Sequence, residues 1–342
     1  MTKIQRIQTV LSGGIPDRIP VMTHNFLMAA REEGVTMEEY RGSPNVIAKT
    51  LIDACIRYDK DGILLDVDTA LLASACGADV IYPRDIAAVT KDEQPRSIEK
   101  IIDDLDKVNL LDSDRVKIYL EAINQLSVWC NANDVFLRAN ADQGPFSLGC
   151  LLVGMNEFLM TLLDEDEEEH LMALMEQTTR IALQMHRLCF EAGGHCTSYG
   201  NSSEGCSVVS PDIFRKFGKP FEIQLNRQLK AEGIPTLCHI CGWADPILED
   251  LKETGCPMFE FDARTDIHKA KTVGKGSYVL SGNLDPAMLN SGSPEQVCAA
   301  TRELLELFRG QGGLMIGPGC ALGPDTPSEN IHALVETVKH FG

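Results

Sequence analysis

The sequence predicts an α/β protein of the (β/α)8 TIM-barrel class, with an N-terminal helix and an insertion between the second and third strands. Three observations carry that expectation. Eight short apolar runs of strand length recur along the chain, bounded by Gly, Pro or acidic residues. The stretches between them, such as residues 168–192 and 294–309, carry the 3.6-residue period of amphipathic helices. No Gly-x-Gly-x-x-Gly follows the first run, as a dinucleotide-binding open sheet would have. Strands alternating with helices build a parallel sheet, and eight such units suit a closed barrel.

Taken in order, residues 2–12 form a helix that closes the bottom of the barrel, and the first strand follows at residues 18–24 (RIPVMTH). The second is residues 61–68 (DGILLDVD). After it, residues 77–112 are long enough for a hairpin and an extra helix. The remaining strands are residues 134–142 (DVFLRANAD), 195–202 (HCTSYGNS), 234–241 (IPTLCHIC), 257–263 (PMFEFDA), 278–285 (YVLSGNLD) and 313–320 (GLMIGPGC). At 342 residues the chain suits a single barrel domain with insertions.

Composition narrows the function. The opening MTKIQRIQTVLSGG lacks the apolar core of a secretory signal and no run has the length of a membrane span, so a cytoplasmic protein is expected. Twelve irregularly spaced cysteines then read as reduced thiols, a few of them available as ligands. A formal net charge of -19 disfavours nucleic acid and anionic membranes, leaving a small molecule or another protein as partner.

Nearly every predicted strand ends in polar residues: His24, Asp68, Asn140 and Asp142, Asn201, His239 and Cys241, Asp262, Asn283 and Asp285, and Cys320. In a TIM barrel the C-terminal strand ends form the active-site face, so these residues share one bowl. Side chains alternate along a strand, so His239 and Cys241 point the same way while Cys238 and Ile240 point the other. Gly317, Pro318 and Gly319 let the backbone turn and bring Cys320 toward them. A His/Cys/Cys set with one open position is the pattern of a catalytic zinc site. Each of the three residues alone is better explained as core; their shared face and height favour the metal.

Asp262 and Glu204 are the candidate catalytic carboxylates. His24, Asp68, Asn140, Asp142 and Asn283 are candidates for holding substrate, with helix capping and turn formation as the competing explanations. Cys206 reads as a non-ligand thiol, and His186 with Cys189 as core. His195 belongs at the start of its strand, and the acidic run 164–169 at a helix N-terminus.

His239-Ile-Cys-Gly, the Gly282-Asn-Leu-Asp-Pro286 turn, Pro318-Gly-Cys320 and the run Pro324–Asn330 resemble the corrinoid-dependent methyltransferases of the uroporphyrinogen decarboxylase superfamily. The likeness spans nearly the whole chain, including Arg18-Ile-Pro-Val21 and Ser210-Pro211. The resemblance implies one barrel domain over residues 1–342, with zinc held by His239, Cys241 and Cys320. It also implies methyl transfer between a corrinoid and a small thiol, or from a small methyl donor to the corrinoid. The Asp-x-His-x-x-Gly signature of corrinoid carriers has only a near miss at Asp266-Ile-His268-Lys-Ala-Lys271, which reads as a helix start, so a corrinoid carrier protein is the expected partner. The parent decarboxylases place arginines after Arg-x-Pro-Val, where this chain has Met22-Thr23-His24-Asn25, which argues against porphyrinogen decarboxylation. A zinc hydrolase or lyase on the same barrel is the alternative.

Overall fold

The computed structural model describes all 342 residues. Seven parallel strands form one curled sheet in the order β1 (Gly62–Leu65), β4 (Phe136–Gln143), β5 (Cys196–Gly200), β6 (Thr236–Ile240), β7 (Met258–Phe261), β8 (Val279–Leu284) and β9 (Leu314–Pro318). Two further short strands, β2 (Val80–Ile81) and β3 (Val89–Thr90), make the antiparallel hairpin of the insertion, and the helix Ile98–Leu105 follows them.

The predicted first strand, residues 18–24, is corrected to an extended stave with a single bridge, Val21 to Ile316. Pro20 has no N–H to give a ladder, so only its carbonyl serves, accepting from Ile316 N. Met22 N donates to Ile316 O on one side and Asp61 N donates to Val21 O on the other, so the stave lies between β9 and β1 and closes the barrel. Gly317 is required there, because a Cβ would stand 2.1 Å from Met22 O.

Closure is fixed by a buried carboxylate. Asp61 Oδ1 accepts from Arg6 Nη1 at 2.6 Å and Arg18 Nη2 at 2.9 Å, while Oδ2 accepts from Arg18 Nη1 at 2.7 Å and Val21 N at 2.8 Å. The arginine of the Arg-Ile-Pro-Val motif is therefore part of the barrel seam. Arg6 belongs to the helix Lys3–Leu11, which starts with a capping box in which Thr2 and Gln5 exchange side-chain and backbone hydrogen bonds.

That helix plugs the lower end. Its Ile7 and Val10 join a cluster holding one residue from each stave: Met22, Leu64, Phe136, Cys196, Leu237, Met258, Val279 and Met315. The opposite strand faces, with Ile63, Leu137, Tyr199, Cys238, Phe259, Leu280 and Ile316, pack outward against the surrounding helices in two larger clusters. Because side chains alternate, two residues beyond the apolar floor each stave again points inward. Those positions are His24, Asp66, Arg138, Ser198, His239, Glu260, Ser281 and Gly317, a polar layer. Asn140, Cys241, Asp262 and Asn283 stand two residues higher. No helix is long and apolar enough to cross a membrane.

Candidate metal centre and active site

The register of β6 and β7 pairs His239 with Glu260, and that of β7 and β8 pairs Glu260 with Ser281. His239 and Cys241 project into the bowl from the end of β6. Cys320 reaches them from the turn after β9, where Gly319 passes close under the β7 end: a Cβ there would lie 2.7 Å from Phe261 O. The ligand atoms of His239, Cys241 and Cys320 all lie within 4.8 Å of one another, and all three residues are partly buried.

The imidazole is oriented for a ligand. Its Nδ1 lies 3.2 Å from Glu260 O and 3.3 Å from Glu260 Oε1, whereas its buried Nε2 has no hydrogen-bond partner. An unpaired buried nitrogen is costly unless something fills the space beside it. With Nδ1 carrying the proton toward Glu260, Nε2 offers its lone pair between two sulfurs. One nitrogen and two sulfurs fit zinc, and the set leaves a coordination position open.

The electrostatics agree. The neighbouring Cys320 thiol, and then the His239 ring, lower Cys241 to about 5. The neighbouring Cys241 pushes Cys320 upward, because two adjacent thiolates repel when no cation separates them. Burial would lower His239, but the closeness of Cys241 and Glu260 outweighs burial and raises it to about 10. The cluster holds protons that a divalent ion would displace.

Beneath the ligands an ion pair crosses the barrel. Arg138 on β4 donates through Nη1 to Glu260 Oε2 at 2.5 Å, and both side chains are about 95% buried, with exposures of 4% and 5%. Burial alone would raise Glu260, but Arg138 and His239 hold it well below the usual carboxylate range. A carboxylate behind a ligating histidine fixes the ring's tautomer and direction. Glu260→Gln should therefore weaken zinc binding about 10–100-fold, as read by competition with a chromogenic chelator, and lower the Tm because it leaves the buried Arg138 without a counter-charge; an unchanged affinity would remove Glu260 from this role. Glu260, Arg138 and Asp66 were not among the predicted site residues, although each is a charged residue in or next to an apolar strand and on the same face as its strand's floor residue.

The other predicted residues separate into those in the bowl and those elsewhere. Asp262 lies beside the cluster: its Oδ2 accepts from Cys241 Sγ at 3.5 Å and Gly242 N at 3.0 Å, and its Oδ1 from Arg264 N at 2.9 Å. Burial raises its pKa, but those backbone N–H groups prevail and leave it lowered. His24 Nε2 meets Asp66 Oδ2 at 2.8 Å, and its Nδ1 is unpaired. Asn140 accepts from Ser198 Oγ at 3.2 Å, and Asn283 Nδ2 donates to Thr265 O at 3.1 Å, bracing the loop after β7.

Asp68 accepts from Ala70 N at 2.9 Å and pairs with Arg115. Asp142 accepts from Leu72 N at 2.6 Å, and burial pushes it up to about 8. Both brace the segment after β1 at the bowl's edge. Asp285 accepts from Ala287 N as the cap of a helix.

Glu204 is corrected. It is fully buried on the outer side of β6, where Asn201 Nδ2 donates to Glu204 Oε1 at 3.1 Å and to Glu222 Oε1 at 2.5 Å. Cys238, which points away from the bowl, donates to the same Glu222 oxygen at 3.6 Å. Burial and then Glu222 raise Glu204 far above the usual carboxylate range, so it holds its proton and cannot serve the bowl as a base.

His186 is buried against Thr197 Oγ1 at 2.7 Å, and His195 Nδ1 accepts from Leu137 N at the lower end of the sheet. Asp266 accepts from His268 N and Lys269 N, capping the helix Ile267–Gly274.

Comparison with known proteins adds three findings. The family model described as uroporphyrinogen decarboxylase (URO-D) matches residues 2–341. Among relatives, the methylcobamide:CoM methyltransferase MtbA of Methanosarcina acetivorans is 27% identical over 257 residues, covering 73% of this chain and 72% of its own. MtaA of Methanosarcina barkeri, also a methylcobamide:CoM methyltransferase, is 25% identical over 342 residues, covering 96% and 95%. A uroporphyrinogen decarboxylase of Coxiella burnetii is 24% identical over 348 residues, covering 95% and 91%. Among solved structures, a methyltransferase from Methanosarcina mazei superposes with a TM-score of 0.88 at 24% identity, over 100% of this chain and 99% of that one, a likeness of fold.

Proposed function

From the chain's membership of the uroporphyrinogen decarboxylase family we propose that it is a corrinoid-dependent methyltransferase, moving a methyl group from a methylated corrinoid on a partner protein to a small thiol. The observation that carries the reading is the convergence of His239 Nε2, Cys241 Sγ and Cys320 Sγ within 4.8 Å, with Nε2 bare and Nδ1 engaged. The relatives named for methylcobamide and CoM supply the reaction class.

His239, Cys241 and Cys320 would hold zinc, with Asp262 beside them as a candidate fourth ligand. Zinc there supplies the deprotonation: a free thiol titrates near pH 8.5, whereas a coordinated thiol is deprotonated outright. The chain's own residues do the rest. Glu260 and Arg138 aim His239, the apolar floor of Leu237, Met258 and Met315 shuts the lower end to water, and Ser281 and Asn283 line the wall. A carrier protein would present the corrinoid face from the strand-end side of the barrel.

Two other readings lose support from the same geometry. Hydrolysis needs a general base, and Glu204, one of the two candidate carboxylates, is outside the bowl. Porphyrinogen decarboxylation needs cations for a polycarboxylate, and the interior guanidiniums of Arg138 and Arg115 are already paired.

The test is thiol-dependent formation of cob(I)alamin from methylcob(III)alamin, followed optically with zinc-loaded protein and a panel of small thiols. Turnover that requires both zinc and thiol is expected. Zinc binding with no turnover on any thiol would defeat the acceptor direction, and no zinc binding would defeat the proposal.

A further inference from the structure

Each cationic side chain inside the bowl already has an acidic partner. Arg138 is paired with Glu260 and His24 with Asp66, and at the bowl's edge Arg115 of the outer helix Asp114–Ala132 is paired with Asp68. Asp262 meets only backbone N–H groups and the Cys241 thiol from within; Arg264, whose Nε is 3.7 Å from Asp262 Oδ1, stands at the rim with its side chain 67% exposed. The buried ammonium of Lys60 points away, donating to Thr23 Oγ1 and Asn25 Oδ1 behind the first stave. With His24 protonated, the carboxylates of Asp66, Asp68, Glu260 and Asp262 exceed the cations by one charge; with His24 neutral, by two. The ligand set does not change that balance, since two thiolates cancel the charge of one divalent ion.

Resting on the methyltransferase reading, we propose that this bowl selects an acceptor with a cationic tail, a small aminothiol, and disfavours an anionic thiol of the coenzyme M kind. The acceptor's sulfur becomes a thiolate when it reacts. A sulfonate on the same two-carbon chain adds a second negative charge to an interior that is already negative and whose guanidiniums are paired, Arg264 at the rim being 3.7 Å from Asp262 Oδ1. An ammonium there instead offsets Asp262 or Asp66. Like charges a few ångströms apart in a partly dehydrated site repel strongly, because little water screens them.

The experiment compares 2-aminoethanethiol, 2-mercaptoethanol and 2-mercaptoethanesulfonate, which share a two-carbon thiol and carry a cationic, neutral or anionic tail, as acceptors from methylcob(III)alamin with zinc-loaded protein. The expected order of kcat/KM is amine, alcohol, sulfonate, with about tenfold or more between the first and last. Asp66→Asn, which frees His24, and Asp68→Asn, which frees Arg115, should each pull the amine-to-sulfonate ratio toward one. Within that ratio the intrinsic acidities of the thiols cancel between proteins, and the second variant serves if the first is unstable. Arg264→Gln, which removes the rim cation beside Asp262, should raise the ratio.

A wild-type preference for the sulfonate, or a ratio unmoved in both aspartate variants, would overturn the inference while leaving methyl transfer intact. Absence of turnover with all three thiols would overturn the acceptor reading and this inference together.

Discussion

Cys320→Ala protein should fold normally, lose its zinc on dialysis and show no thiol-dependent demethylation of methylcob(III)alamin. Structural zinc sites bind with about 10–16 kcal/mol in apparent free energy. Losing one of three protein ligands removes about a third of that, a factor of roughly 10²–10⁴ in affinity. The fold should survive because Cys320 occupies the turn beyond β9, is partly exposed and belongs to none of the apolar clusters. Metal analysis beside circular dichroism checks both halves. Full zinc occupancy in the folded variant would show that Cys320 is not a ligand. A Cys320→Asp variant, which keeps an anionic donor, should recover part of the metal with little turnover, since two thiolates set the site's softness.

Asp61→Ala should be the most destabilising single change in the barrel seam. Asp61 is buried and takes four hydrogen bonds from Arg6, Arg18 and Val21, so truncation leaves the part-buried Arg18 guanidinium without a carboxylate and the buried Arg6 with Asp17 alone. Breaking a buried ion pair from one side costs about 3–5 kcal/mol, or roughly 10 °C in Tm for a chain of this size. Asp61→Asn keeps a carbonyl for Val21 N and should lose less. The stave it anchors carries His24, whose carbonyl accepts from Leu322 N two residues after Cys320, so zinc affinity should fall along with stability. Thermal unfolding with and without zinc separates the two effects. A Tm within about 2 °C of wild type would show that the seam is held elsewhere.

The sequence by itself determined the strands β1 and β4–β9, the capping helix, the hairpin and helix of the insertion, and the His-x-Cys spacing. These are legible because their causes are local. A buried parallel strand needs a short apolar run bounded by turn formers, and alternation places His239 and Cys241 on one face whatever surrounds them. The Gly-Pro-Gly before Cys320 likewise announces a backbone that must turn in tight quarters.

What the tertiary structure decided concerns pairings between distant parts of the chain. The first stave is read as a full strand from its extended residues, but Pro20 and the seam around Asp61 reduce it to one bridge. Glu204 follows β5 just as a bowl residue would, and only the packing of the helix Lys219–Ala231 against β6 turns it outward to Glu222. Arg138 and Glu260 are 122 residues apart and lie on strands that are not neighbours, so no period or motif links them. Closing the sheet into a barrel brings opposite walls within hydrogen-bond distance, and that is why charge balance in the bowl, and with it the choice of substrate, is a property of the folded chain.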